Sequence, residues 1–339
     1  MKLLHSDDIS RIINNNGVLT TLKELVQALK HDFAQWQQFQ IAPRHAFHYP
    51  NGVIELMPTT TSELYSFKFI NGHPANTGRD KLSIVGFGAL ADTHTGYPLM
   101  LAEMTLLTAL RTAATSALAA SYLAPKNANT MALIGTGAQS EFQTLAMHAH
   151  CGIQRFRYFD IDQDAMDKYA NNLQQYDIEL IPCRSALETI TGADIITTAT
   201  AKKEKVTLLS KDQVPAGVML NTIGGDCPGK TELDPAILEG NVVVVDFLEQ
   251  ALVEGEIQNV ADRSGILELW QLVSGNHPGR SQDDQITVFD SVGCAVEDFS
   301  VLRYLHQLTA EQQSSQSAFL AETDNPKNLF GLLKQEVMS

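Results

Sequence analysis

Two cations interrupt stretches of the chain that are otherwise apolar. Lys68 lies in a strand-like run, where alternation places it opposite Tyr65, Phe67 and Phe69. Lysine is seldom buried without a partner, so the pattern alone favours a solvated strand face over a binding site. Arg111 lies in an alanine- and leucine-rich stretch that predicts a buried helix, where it would need an anion. A substrate carboxylate, a pyrophosphate or an internal Asp or Glu could supply that anion.

An aspartate follows two glycines directly after a predicted buried strand. The stretch reads Asn221-Thr-Ile-Gly224-Gly-Asp226-Cys-Pro-Gly-Lys230-Thr-Glu232. Loops at the carboxyl ends of buried parallel strands line the ligand crevice of a doubly wound sheet. Asp226 is therefore a candidate general acid/base, and a simple helix cap is the alternative that the pattern leaves open.

A strand, a glycine turn and a helix start are predicted around Gly135. Gly135 allows the tight turn, Gly137 lets a pyrophosphate approach the backbone, and the helix N-terminus favours phosphate. The next strand ends at Asp160, near the offset at which an acid binds the ribose hydroxyls. Asp160 would repel a 2′-phosphate, which favours NAD over NADP, although Arg155 and Arg157 weaken that preference. The alternative is a glycine turn that binds nothing.

The elements that would position these residues change in character at about residue 127. Before that point helices and strands are mixed, and Thr21 and Glu24 have the spacing of a capping box, which predicts a helix start there. Strands are predicted over 53–57, 64–70, 83–91 and 97–104, and a long helix over 106–123.

From residue 127 onward strands and helices alternate. The strands are short, continuous apolar runs, as expected for parallel strands buried on both faces. This rhythm predicts an α/β fold with a Rossmann-type, doubly wound parallel sheet. The predicted strands are Met131–Ile134, Phe156–Phe159, Glu179–Ile181, Ile195–Thr198, Val218–Thr222, Val242–Val245 and Ile286–Phe289, and a helix follows over 295–308.

Composition excludes several classes of function. The chain has 339 residues, with 24 basic and 39 acidic side chains and a net charge of −15, which argues against nucleic acid as a partner. It has no apolar run of membrane-spanning length and no signal-peptide pattern at its N-terminus, so a cytoplasmic protein with no membrane partner is predicted. The four cysteines are far apart and no HExxH occurs, so no metal site is predicted.

Five stretches resemble the ornithine cyclodeaminase/μ-crystallin family, and they are spread over nearly the whole chain. They start at Lys68 (KFINGHP), Arg111 (RTAATS), Leu133 (LIGTGAQSEFQ), Gly224 (GGDCPGKTEL) and Glu254 (EGEIQ). The resemblance implies a homodimer in which a discontinuous α+β domain, residues 1–126 and 311–339, binds substrate and mediates dimerisation. Residues 127–310 would form the NAD-binding Rossmann domain.

The resemblance also implies roles for individual residues. Asp226 would be the acid/base, with Lys68 beside it among the catalytic residues, and Glu55 or Asp226 would bind the side-chain ammonium of the substrate. The substrate carboxylate and backbone would be held by Arg44, Lys68, Arg111 and Val292. The nucleotide would be contacted by Ser83, Arg111, Gly135, Gly137, Ala138, Gln139, Asp160, Thr200, Ile223, Gly224, Lys230 and Ser291.

The implied reaction is the cyclising deamination of L-ornithine to L-proline and ammonia, with NAD as a recycled hydride carrier. An NAD-dependent amino-acid dehydrogenase or ketimine reductase is the alternative within the same family. A non-catalytic, crystallin-like nucleotide-binding protein is a second alternative, against which the presence of both Asp226 and Lys68 argues. The length of the preferred amino-acid side chain is left open.

Overall fold

Two β-sheets organise the part of the chain that the computed structural model describes, which is residues 1–200, 207–225, 227–310 and 327. Within those residues, the first sheet is mainly antiparallel and the second is wholly parallel. The alternation of strands and helices after residue 127 therefore forms the doubly wound parallel sheet that the sequence predicts.

The strands of the first sheet are β1 (Lys2–Leu4), β2 (Gln40–Ile41), β3 (His45–Tyr49), β4 (Gly52–Thr60), β5 (Leu64–Gly72), β6 (Ile84–Asp92) and β7 (Pro98–Glu103). Short connections join β3 to β7 of the first sheet in chain order, whereas β1 pairs with β7 from the start of the chain. The strands lie in the order β1–β7–β6–β5–β4–β2, and β3 also pairs with β4. Alternation along β4, β5 and the first half of β6 gives the sheet one buried face and one face that carries exposed aromatic and aliphatic side chains.

The second sheet consists of short strands that are buried nearly throughout. Its strands are β8 (Thr130–Ile134), β9 (Arg155–Phe159), β10 (Glu179–Pro182), β11 (Ile195–Thr198), β12 (Met219–Thr222), β13 (Val242–Val245), β14 (Leu267–Glu268) and β15 (Thr287–Asp290). Their order is β10–β9–β8–β11–β12–β15–β13–β14, so the direction of winding reverses between β8 and β11. All seven strands predicted after residue 127 are present, with bounds within a residue or two.

Nine α-helices of the described residues cover the two sheets. They are α1 (Ser6–Asn16), α2 (Val18–Ala34), α3 (Thr105–Leu123), α4 (Ser140–Ala146), α5 (Gln163–Leu173), α6 (Ala186–Ile190), α7 (Leu248–Glu254), α8 (Leu269–Val273) and α9 (Ala295–Leu308). The apolar side chains of α1, α2 and α3 share one continuous core with a face of the second sheet. The two sheets are therefore packed around common helices.

The predicted helix start at Thr21 is wrong. Helix α2 begins at Val18, directly after Gly17. The positive φ of Gly17, +84°, interrupts the helical backbone between α1 and α2. Thr21 and Glu24 lie inside α2, where the Asn16 side-chain amide donates to the Thr21 hydroxyl (3.1 Å) and to a Glu24 carboxylate oxygen (2.9 Å). The two side chains thus stabilise the junction between α1 and α2 rather than cap a helix.

The carboxyl ends of β8, β11, β12 and β15 face the buried side of the first sheet. Helix α9 follows β15 and packs against α2, α3 and the inner face of β4 to β6. No helix in the described ranges combines the length and apolarity that a bilayer crossing requires. The domain division at residues 126 and 311 stays a prediction, and nearly all of the predicted tail 311–339 lies outside the described residues.

Candidate active site

A cleft of about 370 Å³ lies between the carboxyl edge of the parallel sheet and the inner face of the first sheet. Most residues singled out in the sequence line it: Arg44, Glu55, Lys68, Ser83, Arg111, Gly137, Ala138, Gln139, Thr200, Ile223, Gly224, Lys230, Ser291 and Val292. Gly135 and Asp160 lie beside the cleft rather than in its lining. Asp226 lies outside the described residues, although both of its neighbours are described.

The turn after β8 leaves room for a ligand only at its second glycine. Gly135 has a φ of +102°, and a Cβ atom there would lie 2.6 Å from the Ala199 carbonyl oxygen, so a side chain cannot be accommodated. At Gly137 a Cβ atom would have nothing within 4 Å, and Gly137 and Ala138 are exposed to the cleft. The Gln139 side-chain oxygen is buried without a hydrogen-bond partner in the described part of the chain. This open backbone in front of α4 fits a pyrophosphate.

Asp160 caps the same turn from the end of β9. Its Oδ2 atom accepts a hydrogen bond from the Thr136 backbone amide (2.7 Å), and Oδ1 accepts one from the Asp162 amide (3.0 Å). Arg155 is paired with Glu179 at 2.7 Å, and Arg157 donates to backbone carbonyl oxygens of α6. The contacts described for Arg155 and Arg157 are therefore with residues other than Asp160. The two arginines, which weakened the predicted preference for NAD, are engaged away from the Asp160 carboxylate.

The far side of the nucleotide edge is held by Glu232, which sequence reasoning missed. One of its carboxylate oxygens accepts hydrogen bonds from the Thr200 amide (3.0 Å) and from the Thr200 hydroxyl. Lys230 donates to the Thr200 carbonyl oxygen at 2.9 Å. A Cβ atom at Gly224 would meet the Glu232 carboxylate, so a larger residue there would displace that side chain. The sequence signal for Glu232 was its position in the same polar stretch, six residues after Asp226.

Lys68 and Arg111 meet at the buried end of the cleft. The predicted solvated face for Lys68 is wrong: its side chain is 1% exposed, and Nζ lies 2.8 Å from Asp298 Oδ1. Arg111 Nε lies 3.1 Å from the same oxygen, and Arg111 Nη1 lies 2.5 Å from Glu297 Oε2. The sequence left three possible anions for Arg111: a substrate carboxylate, a pyrophosphate, or an internal Asp or Glu. In the structure, internal carboxylates contact it.

Burial changes the protonation chemistry of this cluster. It lowers the pKa of Lys68 to about 8, with Arg111 acting in the same direction and Asp298 opposing it. Burial also raises the pKa of Glu297 to about 7, against the influence of Arg111. For Arg111 the nearby Asp298 and Glu297 outweigh burial, so its pKa is raised and it stays charged. Lys68 and Glu297 are thus the groups of the cluster that titrate near neutral pH.

Arg44 lies at the side of the cleft, where it forms ion pairs and hydrogen bonds with several residues. Its guanidinium contacts Glu55 at 3.2 Å and Glu254 at 3.4 Å, and it donates to the carbonyl oxygens of Val292 (2.5 Å) and Gly293 (2.7 Å). Burial alone would lower the pKa of Arg44, but the two carboxylates outweigh it and raise the pKa. Arg44 therefore ties the first sheet to the loop after β15.

The loop after β15 is fixed from the other side by Asp246. The carboxylate accepts hydrogen bonds from the Gly293 amide (2.5 Å) and the Ser291 hydroxyl (3.1 Å). A Cβ atom at Gly293 would stand 2.7 Å from Arg111 Nη1, so the backbone passes directly against that guanidinium. Sequence reasoning also missed Asp246, although an acid directly after the buried strand β13 was a visible signal.

The parallel sheet, the glycine turn at its winding reversal and the facing ionic cluster define a protein of the dinucleotide-binding α/β class. The model of the Ornithine cyclodeaminase/mu-crystallin family matches residues 9–313, and the chain belongs to that family. An ornithine cyclodeaminase from Agrobacterium fabrum is 49% identical over 320 residues, which cover 94% of this chain and 90% of the relative.

Two solved structures are similar along nearly their whole length. A lysine cyclodeaminase, solved to explain its recognition of L-lysine, L-ornithine and L-2,4-diaminobutyric acid, is 29% identical with a TM-score of 0.86 and covers 92% of this chain and 93% of its own. An archaeal alanine dehydrogenase dimer with bound NAD is 27% identical with a TM-score of 0.86 and covers 94% and 99%. The fold is therefore shared by cyclising and by simple oxidising enzymes.

Proposed function

We propose that this chain is an NAD-dependent cyclising ammonia-lyase that converts L-ornithine to L-proline and ammonia. The observation that carries the proposal is that one cleft joins the open glycine turn to two buried cations and to Glu55. The sequence identity of 49% to an ornithine cyclodeaminase, against 30% to an alanine dehydrogenase from Archaeoglobus fulgidus, favours cyclisation over simple oxidation.

NAD fits the nucleotide edge of the cleft. The exposed backbone of Gly137 and Ala138 would receive the pyrophosphate, and Asp160 would bind the ribose hydroxyls. Ser83, Gln139, Thr200, Ile223, Gly224, Lys230 and Ser291 would complete the contacts, with Arg111 between nucleotide and substrate. When bound there, NAD supplies a hydride acceptor that is restored within each turnover, so the conversion involves no net oxidation.

The buried cations would bind the substrate carboxylate. Lys68 and Arg111 present an ammonium and a guanidinium at the buried end of the cleft, where charge-assisted hydrogen bonds are strong. Val292 would contact the substrate backbone, and Arg44 would position the Val292–Gly293 loop while remaining available to the carboxylate.

Glu55 would bind the side-chain ammonium of the substrate. It lies on the same face of the sheet as Lys68 and pairs with Ile70, so the two side chains are diagonal neighbours at a separation of roughly 7 Å. An extended five-carbon diamino acid spans a comparable distance. Asp226, which lies outside the described residues, would accept the proton of the α-ammonium before hydride transfer.

The assay that tests this function measures two products in the same sample. Purified protein with NAD and L-ornithine is expected to release ammonia and proline without accumulating NADH. Stoichiometric NADH would instead establish an amino-acid dehydrogenase or ketimine reductase. If neither ammonia nor NADH is formed, the chain is a non-catalytic nucleotide-binding protein. L-lysine and L-2,4-diaminobutyric acid, assayed in parallel, determine the preferred side-chain length.

A homodimer in the cytoplasm is part of the proposal. The outer face of the first sheet carries Phe67, Phe69 and Phe87, with ring centroids of Phe69 and Phe87 5.1 Å apart. Phe87 is 43% exposed and Tyr65 is 38% exposed. A contiguous aromatic face of this kind is typical of a surface that a second subunit covers.

A further inference from the structure

Asp298 joins the two cations of the candidate substrate site. Its Oδ1 atom contacts both Lys68 Nζ and Arg111 Nε, at 2.8 and 3.1 Å, and the three side chains are almost fully buried. Its Oδ2 atom is buried and has no hydrogen-bond partner among the residues that the structure describes. The carboxylate of Asp298 is therefore engaged through one oxygen that two cations share.

The three residues come from three elements that are far apart in the chain, so contacts between sequence neighbours do not bring them together. Lys68 is on β5, Arg111 is on α3, and Asp298 is the fourth residue of α9. Two buried cations repel each other, and bringing them together in a low-dielectric volume requires a shared anion. Asp298 supplies that anion from the helix that follows the loop at the end of β15.

The protonation of Lys68 depends on the groups that surround it. Asp298 faces it from α9, Arg111 from α3, and Arg44 from the segment before β3. Burial and the two arginines favour the neutral amine, and Asp298 favours the ammonium. Without Asp298 the amine would lose its proton at a lower pH, and a neutral amine binds a carboxylate weakly.

We propose that Asp298 is a positioning residue of the substrate site, which holds Lys68 and Arg111 at one carboxylate oxygen. The proposal rests on the function proposed above, in which these two cations bind the carboxylate of an amino acid. Asp298 itself does not touch the substrate in this arrangement and acts through the two cations.

A simple count of charges predicts the opposite effect of removing Asp298. Lys68, Arg111, Asp298 and Glu297 sum to zero when all four are ionised, and Asp298→Asn raises the sum to +1. A more positive site would attract an anionic carboxylate more strongly. Positioning predicts weaker binding instead, because the ammonium loses its proton and the guanidinium loses a contact. The sign of the change in KM therefore separates the two explanations.

The experiment compares Asp298→Asn with the parent protein at saturating NAD from about pH 6.5 to about pH 9. We expect the KM for L-ornithine to rise about tenfold or more at pH 8, with a smaller change in kcat. The ratio of the two KM values should fall toward low pH, where Lys68 regains its proton, and titration of the substrate cancels in this ratio. An unchanged or lower KM, or a raised KM with a pH-independent ratio, would overturn the proposal.

Asp32→Asn is the matched control. Asp32 is a buried aspartate paired at 3.0 Å with Arg303 of the same helix α9, and it does not line the cleft. Its substitution removes a buried ion pair and should reduce stability without a pH-dependent change in KM. If Asp32→Asn reproduces the KM ratio of Asp298→Asn, the effect is a general consequence of loosening α9, and the positioning role is wrong.

Asp298→Glu tests the proposal if the asparagine variant does not fold. It keeps the charge but moves the carboxylate by one methylene, so KM should rise while its pH dependence stays that of the parent. A parent-like KM would contradict positioning. If the parent releases no ammonia from ornithine, the proposed function fails, and the same ratio is measured with whichever α-amino acid the parent oxidises, since the carboxylate is common to all of them.

Discussion

At the scale of single residues, we expect cofactor choice to depend on the carboxylate of Asp160. It is held by the Thr136 and Asp162 amides at the rim of the nucleotide edge, where a 2′-phosphate would meet a negative charge. We expect Asp160→Ser to improve use of NADP relative to NAD by about tenfold or more, because it removes that repulsion. Initial rates with each cofactor measure the change. Equal use of NAD and NADP by the parent protein would contradict this role.

The acid/base assignment is likewise a prediction about one side chain. Asp226→Asn preserves shape but removes the proton acceptor, and positioned acid/base groups contribute roughly 10²–10⁴-fold. The variant should bind NAD normally, by fluorescence titration, and lose ornithine turnover on that scale. The loss should shrink when the preformed cyclic imine and NADH are supplied, because α-amine deprotonation is then bypassed. Near-normal ornithine turnover would transfer the role to Glu55 or to another group.

Sequence reasoning found the cations of the site but not the anions that hold them. Lys68 and Arg111 stand out because each interrupts an apolar run, whereas Glu297 and Asp298 lie in the first turn of a helix, where acids are ordinary. Lys68 and Asp298 are 230 residues apart, so no local spacing connects them. Burial of Lys68 became visible only once the packing of α9 on β5 was known.

At the scale of elements, the parallel strands were predictable because burial on both faces leaves short, continuous apolar runs. Strand β3 was missed since most of its residues are exposed, and β2 and β14 have two residues each, too few for any period. Helix α1 was missed together with the glycine that ends it. Secondary-structure prediction from the sequence therefore succeeded where burial requires a regular pattern of apolar residues. It failed at exposed edge strands and at short elements.

The two glycines of the turn after β8 are expected to respond differently to alanine. Gly135→Ala places a Cβ atom against the Ala199 carbonyl oxygen at a positive φ, so it should destabilise the fold by at least 1–2 kcal/mol (order of magnitude). Gly137→Ala has open space and should leave stability unchanged while weakening NAD binding. Denaturant unfolding and NAD titration of both variants measure this. Equal loss of stability in both would contradict the proposed separation of turn and ligand contact.

Two buried acids, Asp290 at the end of β15 and Glu256 just after α7, predict a pH dependence of stability. Burial raises the pKa of Asp290 from 3.8 to about 7, and burial together with Asp290 raises the pKa of Glu256 from 4.5 to about 8. The folded protein therefore binds more protons than the unfolded chain between these values. The stability that these groups contribute is complete below about pH 4 and is lost as pH rises to about 8.

Each such carboxyl should lower the free energy of unfolding by about 1.4 kcal/mol per pH unit within its window. Asp290→Asn should flatten the fall between about pH 5 and pH 7. The control is Asp284→Asn, an exposed position just before β15, which should leave the slope unchanged. Denaturant unfolding over this pH range provides the measurement, and a parent-like slope in Asp290→Asn would show that the carboxyl is not protonated in the folded state.

At the scale of the whole molecule, the two faces of the first sheet differ, because one lines the cleft and the other exposes aromatic and aliphatic side chains. The inner face carries Lys68 and Glu55 into the cleft, so a tilt of the sheet would move both side chains. The outer face carries aromatic residues in register across strands, with Leu56 opposite Phe69 and Phe69 opposite Phe87. A second subunit that covers this face would bury apolar surface and also hold the sheet that positions the two site residues.

The prediction that follows concerns assembly and activity together. Phe87→Glu places a charge in the middle of the outer face and should convert a dimer to a monomer in sedimentation equilibrium, with a lower unfolding midpoint. Leu187→Glu is the control, because Leu187 is 55% exposed and lies on α6, which packs against β8 and β9 of the second sheet rather than against the first sheet. It should remain dimeric. A dimeric Phe87→Glu protein, or a monomeric Leu187→Glu protein, would place the subunit interface elsewhere.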